Sequence, residues 1–507
     1  MAHVRILKHY IHLPYIYLGI VETIALGLCV YLGYWLHDRA LPQGEMLPRA
    51  AIFALIMVLA MISMGVYQSR LREGFAGMML RTAVAFFLIA ALALAVIFYI
   101  VPDLSLARGT LATSIVASYV AVTSMRWGAS RLIDDEDFKT RVLVLGTGKK
   151  AMKIATRLRR KSDRRGFAIH GYVRLAGTPD LIGEHGANIL DLQEPLPVYC
   201  QRHDIAEIVV APDERRRTGD GPSPLPIDEL LDCRLSGINV VDVLSFFERE
   251  VGKILIDMLQ PSWMIFSDGF AVSGVRNASE RVFDVVTASM LLLVAWPVML
   301  GAVIAVKLES GWRAPVVYRQ QRVGLNGKNF SVIKFRSMQV NAEQDGKAVW
   351  AQQNDPRVTT VGQVMRRSRI DELPQIFNVL RGDMSFVGPR PERPEFVHEL
   401  AQKIPYYNER HRVKPGITGW AQLCYPYGAS DADALEKLQY DIYYLKNHSV
   451  LLDLLILIQT VEVILIGEVS RLCAAQGPSA GAGQRRARQR ARVSARHRRS
   501  GSLPPSE

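Results

Sequence analysis

The sequence predicts a membrane protein that combines an N-terminal bundle of transmembrane helices with α/β domains in the cytoplasm. Hydrophobic residues make up 49% of the 507 residues and charged residues only 21%, a balance that favours a membrane protein. Four apolar runs near the N-terminus each approach the ~20 residues needed to cross a bilayer. An apolar strand that leads directly into a glycine-rich turn follows them, as at the start of many α/β domains.

The apolar runs predict a transmembrane domain over residues 1–130. They cover residues 13–36, 50–67, 82–101 and 110–125. The loop 68–81 contains three arginines and the loop 102–109 only one, so we expect the first loop and both ends of the bundle on the cytoplasmic side. The first run lacks a clear cleavage site, which argues against a cleaved signal peptide. Glu22 interrupts it and is expected to reach toward the membrane surface, with a polar contact inside the bundle as the alternative.

Residues 131–275 predict a Rossmann-like α/β domain. The strand at 141–145 runs into the turn 146–151, a GxGxxA pattern that opens a basic helix. Further short strands are predicted at 167–173, 207–211 and 239–243. Arg174 follows the second strand, where a dinucleotide site usually has an acid for the ribose hydroxyls. A nucleotide site and a structural or regulatory module therefore both stay open for this domain.

A long apolar segment, residues 285–306, contains Pro297 near its middle. Its length alone predicts a fifth transmembrane helix. Basic residues flank it on both sides, however, and a proline removes a backbone hydrogen bond and bends a helix. We therefore predict a re-entrant helix over about 282–307, which docks the domain of residues 276–468 at the inner leaflet. The apolar segment 450–467 contains acidic residues and predicts an interfacial or protein-covered helix.

The net charge of +13 is raised by the C-terminal tail. Residues 484–502 contain no acidic residue and almost nothing apolar, so we expect the tail, residues 469–507, to be disordered. It offers contacts to anionic lipid, whereas nucleic-acid binding lacks any supporting fold signature. The five cysteines show neither metal-ligand spacing nor a paired framework and fit reduced cytoplasmic domains.

The stretch 366–391 has the clearest chemical meaning. Asp371 and Glu372 are adjacent at the expected start of a short helix, whose stop is predicted at 381–382 and whose first turn accommodates Pro374. The helix dipole favours carboxylates and a bound anion at that end. Taken alone, the two carboxylates would be interpreted as complementing the positive end of the helix dipole. Arginines crowd the same stretch, however, and indicate a polar pocket suited to metal-assisted chemistry on a phosphate.

Several separated motifs between residues 281 and 467 closely resemble the bacterial sugar transferase family, the monotopic polyprenyl-phosphate phosphoglycosyl transferases. The motifs are the proline-broken apolar segment, YRQQRVG at 318–324, KFRSM at 334–338, DELPQ at 371–375, GPRP at 388–391 and KPGITG at 414–419. With the bundle and the α/β domain ahead of them, the chain is similar to long-form members, the undecaprenyl-phosphate glucose and galactose phosphotransferases of exopolysaccharide biosynthesis.

The resemblance implies an enzyme of the bacterial inner membrane whose α/β domains face the cytoplasm. It would transfer a hexose 1-phosphate from a UDP-sugar to undecaprenyl phosphate and release UMP, a priming step that downstream glycosyl transferases continue. Asp371 would attack the β-phosphorus to form a covalent intermediate, and Glu372 would join it in binding Mg²⁺. The expected phosphate or uridine contacts are Arg322, Lys334, Arg336 and Arg390.

Three secondary expectations concern residues other than Asp371 and Glu372. Asp383 either supports the site or forms a turn after Gly382. Asp441 and Tyr444 are interpreted as packing residues rather than substrate contacts. The acidic motifs at 135–137 and 431–433 resemble the metal motif of a glycosyl transferase that moves the sugar alone, although neither follows an apolar strand.

Two other function classes therefore stand beside the phosphoglycosyl transferase. One is the sugar-only glycosyl transferase, and the other is a non-catalytic assembly protein of a polysaccharide complex. The sequence does not identify the sugar or the oligomeric state, and a homodimer is compatible with the long form.

Overall fold

The structure is a computed structural model. It describes residues 3–466 except for 7–8, 38–42, 65, 67–74, 134–138, 159–165, 176–178, 184–185, 214–224, 260, 268–269, 271–273, 340–354 and 426–429. The predicted disordered tail and Cys473 lie outside the described residues, as does most of the basic loop 68–81.

The N-terminal bundle follows a short antiparallel hairpin. Its elements are the strands β1 (His3–Ile6) and β2 (His9–His12), then α1 (Leu13–His37), α2 (Gln43–Ser63), α3 (Phe75–Val84), a π-helical turn (Ala85–Ala90), α4 (Ala91–Ile100) and α5 (Arg108–Ile133). Phe53, Met57 and Phe86 belong to its apolar core. Large apolar side chains such as Leu92 and Tyr99 are exposed on its outside. Helices that are apolar on all sides are expected where lipid surrounds a bundle.

Four helices in the described part of the chain are long and apolar enough to cross a membrane. They are Ile16–His37, Met46–Ser63, Met78–Ile100 and Arg276–Ser310. The first three confirm three of the predicted N-terminal spans. The fourth predicted span, 110–125, lies in α5, which is not among these helices because serines and threonines dilute its apolar residues. Two of them, Thr113 and Ser114, donate back to carbonyls of the preceding turn.

Glu22 forms a polar contact inside the bundle. Its side chain is fully buried, with Oε1 2.6 Å from Nε and Oε2 2.7 Å from Nη2 of Arg126 on α5. Arg126 also donates to the carbonyl of Val66 at 2.9 Å. The expectation that Glu22 reaches the membrane surface is therefore wrong and the alternative is correct. The partner lies on another helix, where no local pattern reveals it.

The middle domain, residues 139–259, contains a five-stranded parallel sheet of order β5-β4-β3-β6-β7. The strands are β3 (Thr140–Leu145), β4 (Phe167–Val173), β5 (Ile189–Leu190), β6 (Glu207–Val210) and β7 (Asn239–Asp242), and the helices are α6 (Lys149–Arg157), α7 (Leu196–Arg202), α8 (Ile227–Leu235) and α9 (Val243–Val251). All four predicted strands are confirmed to within a residue. The two-residue β5 is too short for a sequence pattern to predict.

Helices cover both faces of this sheet. Val142 and Val144 of β3 face one cluster, with residues of α6 and α9, while Leu143 and Leu145 face another, with residues of α7 and α8. This alternation explains why β3 is a continuous apolar run rather than a half-polar strand.

The C-terminal domain, residues 261–466, combines helices with two small sheets. Its elements are α10 (Pro261–Phe266), α11 (Gly274–Ser310), β8 (Val317–Val323), β9 (Asn329–Phe335), α12 (Thr360–Arg367), α13 (Ile376–Arg381), β10 (Ser385–Val387), α14 (Pro394–Lys403), β11 (Gly416–Thr418), α15 (Trp420–Cys424), α16 (Asp431–Asn447) and α17 (Val450–Ile466). Strands β8 and β9 form an antiparallel hairpin, and β10 pairs with β11 in parallel.

Helix α11 continues through Pro297, and both of its ends contact the C-terminal domain. Near one end, Arg281 donates 2.6 Å hydrogen bonds to two carbonyls at the end of α13. Near the other, Val306 packs in a cluster with Phe335 and Met365. The domain therefore holds this long apolar helix at two places.

Helix α17 is covered by protein on one side, while Val450 and Leu454 are exposed. It packs against α2 of the bundle and against α11, α15, β10 and β11. Leu452, Asp453 and Ile456 are buried, and Asp453 accepts a 2.7 Å hydrogen bond from the hydroxyl of Tyr444. The acidic interruptions of this apolar segment are thus partly explained by an internal contact.

Candidate active site

The acidic pair lies on a 3₁₀ helix, Ile370–Gln375, that continues as α13 and ends at Gly382 with a φ of +92°. The predicted short helix and its stop are confirmed, although its first turn is 3₁₀ rather than α. Arg369 precedes it with a φ of +60°, a left-handed conformation that is uncommon outside glycine. The amide of Glu372 donates back to the Arg369 carbonyl at 3.1 Å, so this tight turn sets where the pair begins.

Asp371 has a buried carboxylate with an unused oxygen. The residue is 8% exposed, and among the described residues its Oδ1 has no hydrogen-bond partner. Burial raises the pKa of Asp371, and the neighbouring charge of Glu372 raises it further against the opposing effect of Lys334 and two arginines. A carboxylate of raised pKa with a free oxygen is suited to nucleophilic attack or to ligand binding.

Glu372 is surrounded by cations. Its Oε1 lies 2.9 Å from Nζ of Lys334 and 3.1 Å from Nη2 of Arg390, and its Oε2 lies 3.8 Å from Nη1 of Arg369. Burial alone would raise the pKa of Glu372, but Arg390, Lys334 and Arg369 together hold it below its usual range. Glu372 therefore stays ionised and orders three cations next to Asp371.

The Arg390 turn, residues 389–392, is fixed by hydrogen bonds that all four of its carbonyls accept. Successive carbonyls from Pro389 to Glu392 accept hydrogen bonds from the amide of Gly416 (3.0 Å), Nη2 of Arg410 (3.1 Å), Nη1 of Arg322 (3.2 Å) and the amide of Val323 (3.0 Å). The side chain of Arg390 then bonds Glu372 on one side and Oε1 of Gln422 on the other, at 3.4 Å. Its position is thus fixed from the main chain outward.

Arg322, which is expected to contact the substrate, also supports this turn, and its contact with a substrate stays a prediction. Its Nε and Nη2 donate to Oε1 of Gln320 at 3.1 and 2.6 Å, and its Nη1 also faces Glu392 at 3.5 Å. Burial and the nearby arginines lower the pKa of Arg322 against the effect of Glu392. The structure thus joins Lys334 and Arg390 to the acidic pair and assigns Arg322 to the backbone behind them.

Arg336 is buried with unused donors. It is 7% exposed, and its Nη1 and Nη2 have no hydrogen-bond partner among the described residues. It follows Lys334 by two positions at the end of β9, and its own amide donates to the carbonyl of Val316 at 2.8 Å. A buried guanidinium without acceptors is costly, and an anion would satisfy it.

Asp383 lies in the turn after Gly382, and among the described residues it is connected to the site through Asn378. The carboxylate is 3.5 Å from Nδ2 of Asn378, whose side chain bridges β9 by accepting from the amide of Ile333 and donating to the carbonyl of Ser331. Asp383 is thus linked through Asn378 to Ile333, the residue before Lys334.

Three residues that shape this site were not predicted individually from the sequence. Arg369 contributes a cation and the left-handed turn, Arg366 donates to Oγ of Ser337 at 2.9 Å near Asp371, and Arg410 donates to the Arg390 turn. The first two lie in the arginine-rich stretch that was noted as a whole. Arg410 lies in a different segment, and its role depends on tertiary contacts.

Asp441 and Tyr444 are packing residues, as expected. Asp441 pairs with Arg410 at 2.8 Å, and the hydroxyl of Tyr444 donates to Asp453 at 2.7 Å and lies 3.2 Å from the carbonyl of Val387. Of the two Asp-x-Asp motifs, residues 135–137 lie outside the described residues. In the other, Asp433 caps α16 together with Ser430. The alternative metal motif is therefore used for helix capping.

The glycine-rich turn of the middle domain already holds an acid of the chain itself. The carboxylate of Asp213 accepts from the amides of Lys149 and Lys150 at 2.8 and 3.0 Å. These amides, at the start of α6, are the donors that a phosphate would need. Gly146 supplies the positive φ, +123°, of the turn. The predicted loop is confirmed as a shape, while its anion-binding amides are occupied.

Comparisons with known proteins place the C-terminal domain in a family. Residues 275–467 match the family model described as bacterial sugar transferase. A UDP-N-acetylgalactosamine-undecaprenyl-phosphate N-acetylgalactosaminephosphotransferase of Aeromonas hydrophila is 42% identical over 238 residues, which cover 47% of this chain and 55% of that protein. A UDP-glucose:undecaprenyl-phosphate glucose-1-phosphate transferase of Escherichia coli K12 is 46% identical over 194 residues, 38% of this chain and 41% of that protein. For these two relatives, the match thus spans about half of their length or less.

A shorter relative is covered more completely. The UDP-glucose:undecaprenyl-phosphate glucose-1-phosphate transferase of Caulobacter vibrioides is 42% identical over 189 residues, 37% of this chain and 69% of that protein. Residues 275–467, which match the family model, include the acidic pair, Lys334 and the Arg390 turn. The chain belongs to the bacterial sugar transferase family.

Proposed function

We propose that this protein transfers a sugar 1-phosphate from a UDP-sugar to undecaprenyl phosphate and releases UMP. The observation that carries the proposal is the pairing of Asp371, which has a free buried oxygen, with Glu372, which holds three cations beside it. The names of the relatives support the two substrates. Because those names include both N-acetylgalactosamine and glucose, the proposal extends only to a UDP-hexose or its N-acetylated form.

The free oxygen of Asp371 is the nucleophile in this mechanism. It attacks the β-phosphorus of the UDP-sugar, and the bond from that phosphorus to the bridging oxygen breaks, so UMP leaves with the bridging oxygen. The product on the protein is a sugar-phosphoryl aspartate. An oxygen of the lipid phosphate then attacks the same phosphorus and frees the Asp371 carboxylate, which gives undecaprenyl diphosphate sugar.

The cations around Glu372 supply the charge that both steps need. A diphosphate approaching Asp371 brings negative charge, which would repel the carboxylate in the absence of nearby cations. Lys334 and Arg390 are already fixed by Glu372 and therefore lose little freedom when substrate binds. The unused donors of Arg336 are available for a phosphate oxygen of either substrate.

The acidic pair also fits a magnesium ion. Mg²⁺ commonly takes one or two protein carboxylates and completes its shell with water and substrate phosphates, and the described residues contain no cluster of three acids, histidines or cysteines that would hold a metal alone. The carboxylates of Asp371 and of the ionised Glu372 would hold it. When bound, the ion would neutralise part of the diphosphate charge.

We propose further that α11 is re-entrant and that the catalytic site faces the cytoplasm at the inner membrane. Support comes from the two contacts of α11, since Arg281 and Val306 both bind to the same domain. A helix that crossed the bilayer between them would separate these ends by a membrane. Leu293, Val294 and Trp296 lie between the contacts and are more than half exposed, as expected for side chains inserted in lipid.

We also propose that the middle domain, whose parallel sheet has helices on both faces, is a Rossmann-like module with a structural role. Asp213 occupies the amides of its glycine-rich turn, which disfavours phosphate binding there. The same domain is joined to α16 by buried ion pairs, as Glu436 of α16 contacts both Lys253 and Arg157.

A labelled substrate tests the proposed reaction. UDP-glucose, UDP-galactose and their N-acetylated forms, each with a radiolabelled β-phosphate, are incubated with the purified full-length protein and undecaprenyl phosphate in nanodiscs. We expect label in the lipid and unlabelled UMP in solution for at least one sugar. Label that stays in soluble UDP would support the sugar-only glycosyl transferase, and no conversion by the wild type would support the assembly protein.

The variant Asp371→Asn tests the assigned nucleophile. It removes the negative oxygen with little change in shape, so we expect UMP release to fall by at least about 1,000-fold. The matched control is Asp431→Asn, because Asp431 is exposed and pairs with Lys403 away from the site. Turnover by Asp371→Asn at the wild-type rate would exclude Asp371 as the nucleophile.

A further inference from the structure

Arg410 is a buried arginine that joins three separate elements. It is 5% exposed. Its Nε and Nη2 bond Oδ2 of Asp441 on α16 at 3.0 and 2.8 Å, its Nη1 donates to the hydroxyl of Tyr407 at 3.0 Å, and its Nη2 also donates to the carbonyl of Arg390 at 3.1 Å. The planar guanidinium thus directs its donors to three places at once.

The burial of this pair is not explained by stability alone. Asp441 and Arg410 are both almost fully removed from water, and the desolvation of two charges offsets most of their attraction. Apolar residues of the same size would fill the space at no such cost. They would leave the carbonyl of Arg390 without a donor, and that carbonyl belongs to the residue that bonds Glu372.

The hydrogen bond to Arg390 connects the buried pair to the acidic pair. The side chain of Arg390 donates to Glu372. The position of that side chain depends on how firmly the main chain of Arg390 is held. The other carbonyls of the Arg390 turn accept from different elements, so loss of the Arg410 contact would release one residue, Arg390, rather than the whole turn. Fixing that residue fixes the guanidinium that faces Glu372 and the incoming diphosphate.

We propose that Arg410, held in place by Asp441, is a positioning residue that fixes the main chain of Arg390 and so orients its guanidinium beside the acidic pair. This inference rests on the proposed phosphoglycosyl transfer. Arg410 touches no reacting atom, and its effect on turnover passes through Arg390. Lysine cannot replace it, since a single ammonium group cannot reproduce the planar fork that reaches Asp441, Tyr407 and the Arg390 carbonyl together.

A double-mutant cycle tests this inference with UMP release by the full-length protein in nanodiscs. Arg410→Lys keeps the charge and is expected to lower kcat/KM for the UDP-sugar by about 100-fold, the effect of misplacing a catalytic contact by about 1 Å. In the background of Arg390→Lys the same change should cost less than about threefold, because its effect passes through Arg390. The control is Arg412→Lys, since Arg412 is exposed and pairs with Glu409; it should stay within about twofold.

Tyr407→Phe provides a milder second cycle if Arg410→Lys does not fold. It removes only the hydroxyl that accepts from Arg410, so we expect about a fivefold loss, again largely absent in the Arg390→Lys background. Losses that are equal in both backgrounds would show a merely structural role and overturn this inference while the proposed function stands. Wild-type protein that releases no UMP from any UDP-sugar would overturn the proposed function and this inference with it.

Discussion

Glu436 is one of the residues that join the middle domain to α16, beside the Glu248–Lys446 pair, and its removal should loosen the two domains. Its Oε2 lies 2.9 Å from Nζ of Lys253 and its Oε1 lies 2.8 Å from Nη1 of Arg157. Lys253 is fully buried, whereas the Arg157 side chain is 25% exposed. In Glu436→Gln the buried ammonium of Lys253 loses the carboxylate of Glu436, while Arg157 can turn to water.

The expected cost follows from that buried ammonium. Removing one partner of a buried ion pair destabilises by about 3–5 kcal/mol. For a domain the size of the C-terminal domain, each kcal/mol of lost stability lowers the unfolding midpoint by about 2–4 °C, so the midpoint should fall by roughly 6–20 °C. Replacing both charges, as in Lys253→Met with Glu436→Gln, removes the buried ammonium together with its carboxylate and should recover most of this loss.

Thermal unfolding of the full-length protein in detergent, followed by tryptophan fluorescence, measures both effects. Trp420 reports on the same interface because its Nε1 donates to the carbonyl of Gly252 at 2.8 Å. The matched control is Glu395→Gln, because the Glu395 side chain is 63% exposed and lies 3.7 Å from Nε of Arg393; this change should cost less than about 1 kcal/mol. An unchanged midpoint in Glu436→Gln, or a double variant that is no more stable than it, would refute this reasoning.

Three further predictions concern the site, the bundle and the membrane. Because Asp371 must be ionised to attack and its pKa is raised, kcat/KM should fall with decreasing pH at a value above the usual carboxyl pKa of about 3.9. Glu372→Gln removes a charge that raises this pKa, so the acidic limb of its residual activity should move to lower pH; an unmoved limb would contradict the assignment. Arg126→Met leaves Glu22 buried without its counter-charge and should lower the unfolding midpoint of the bundle, whereas the added change Glu22→Gln should restore it, and equal midpoints for the two variants would argue against the pair. A re-entrant α11 places Trp312 on the cytoplasmic side, so Trp312→Cys should react with a membrane-impermeant maleimide in inside-out vesicles, and reaction only in right-side-out vesicles would show a crossing helix.

Local patterns were sufficient for features that depend on neighbouring residues. The strands of the middle domain follow from apolar runs, and the stop at Gly382 follows from a residue that tolerates a positive φ. The acidic pair was also identified because its meaning lies in adjacency, with Asp371 and Glu372 side by side before Pro374. These features need no knowledge of what packs against them.

Pairings between distant residues account for what the sequence could not predict. The basic motif singled out Arg322 as a substrate contact, which stays a prediction, but it gave no sign of the hydrogen bond to a carbonyl 69 residues later in the chain. Glu22 was expected to seek water, yet its partner is 104 residues away. In both cases the charge was recognised correctly and its partner was not, because an arginine that supports a turn and one that binds phosphate have the same appearance in a sequence.

Helix α16 gives the contacts of the middle domain a consequence for the site. Glu436, which binds that domain, and Asp441, which holds Arg410, lie on the same helix five positions apart. A helix is stiff over this distance, so a shift of α16 at Glu436 would also displace Asp441 and, through Arg410, the main chain of Arg390. The middle domain can therefore influence the acidic pair by holding α16 in place, and this requires no ligand at its glycine-rich turn, where Asp213 already occupies the amides.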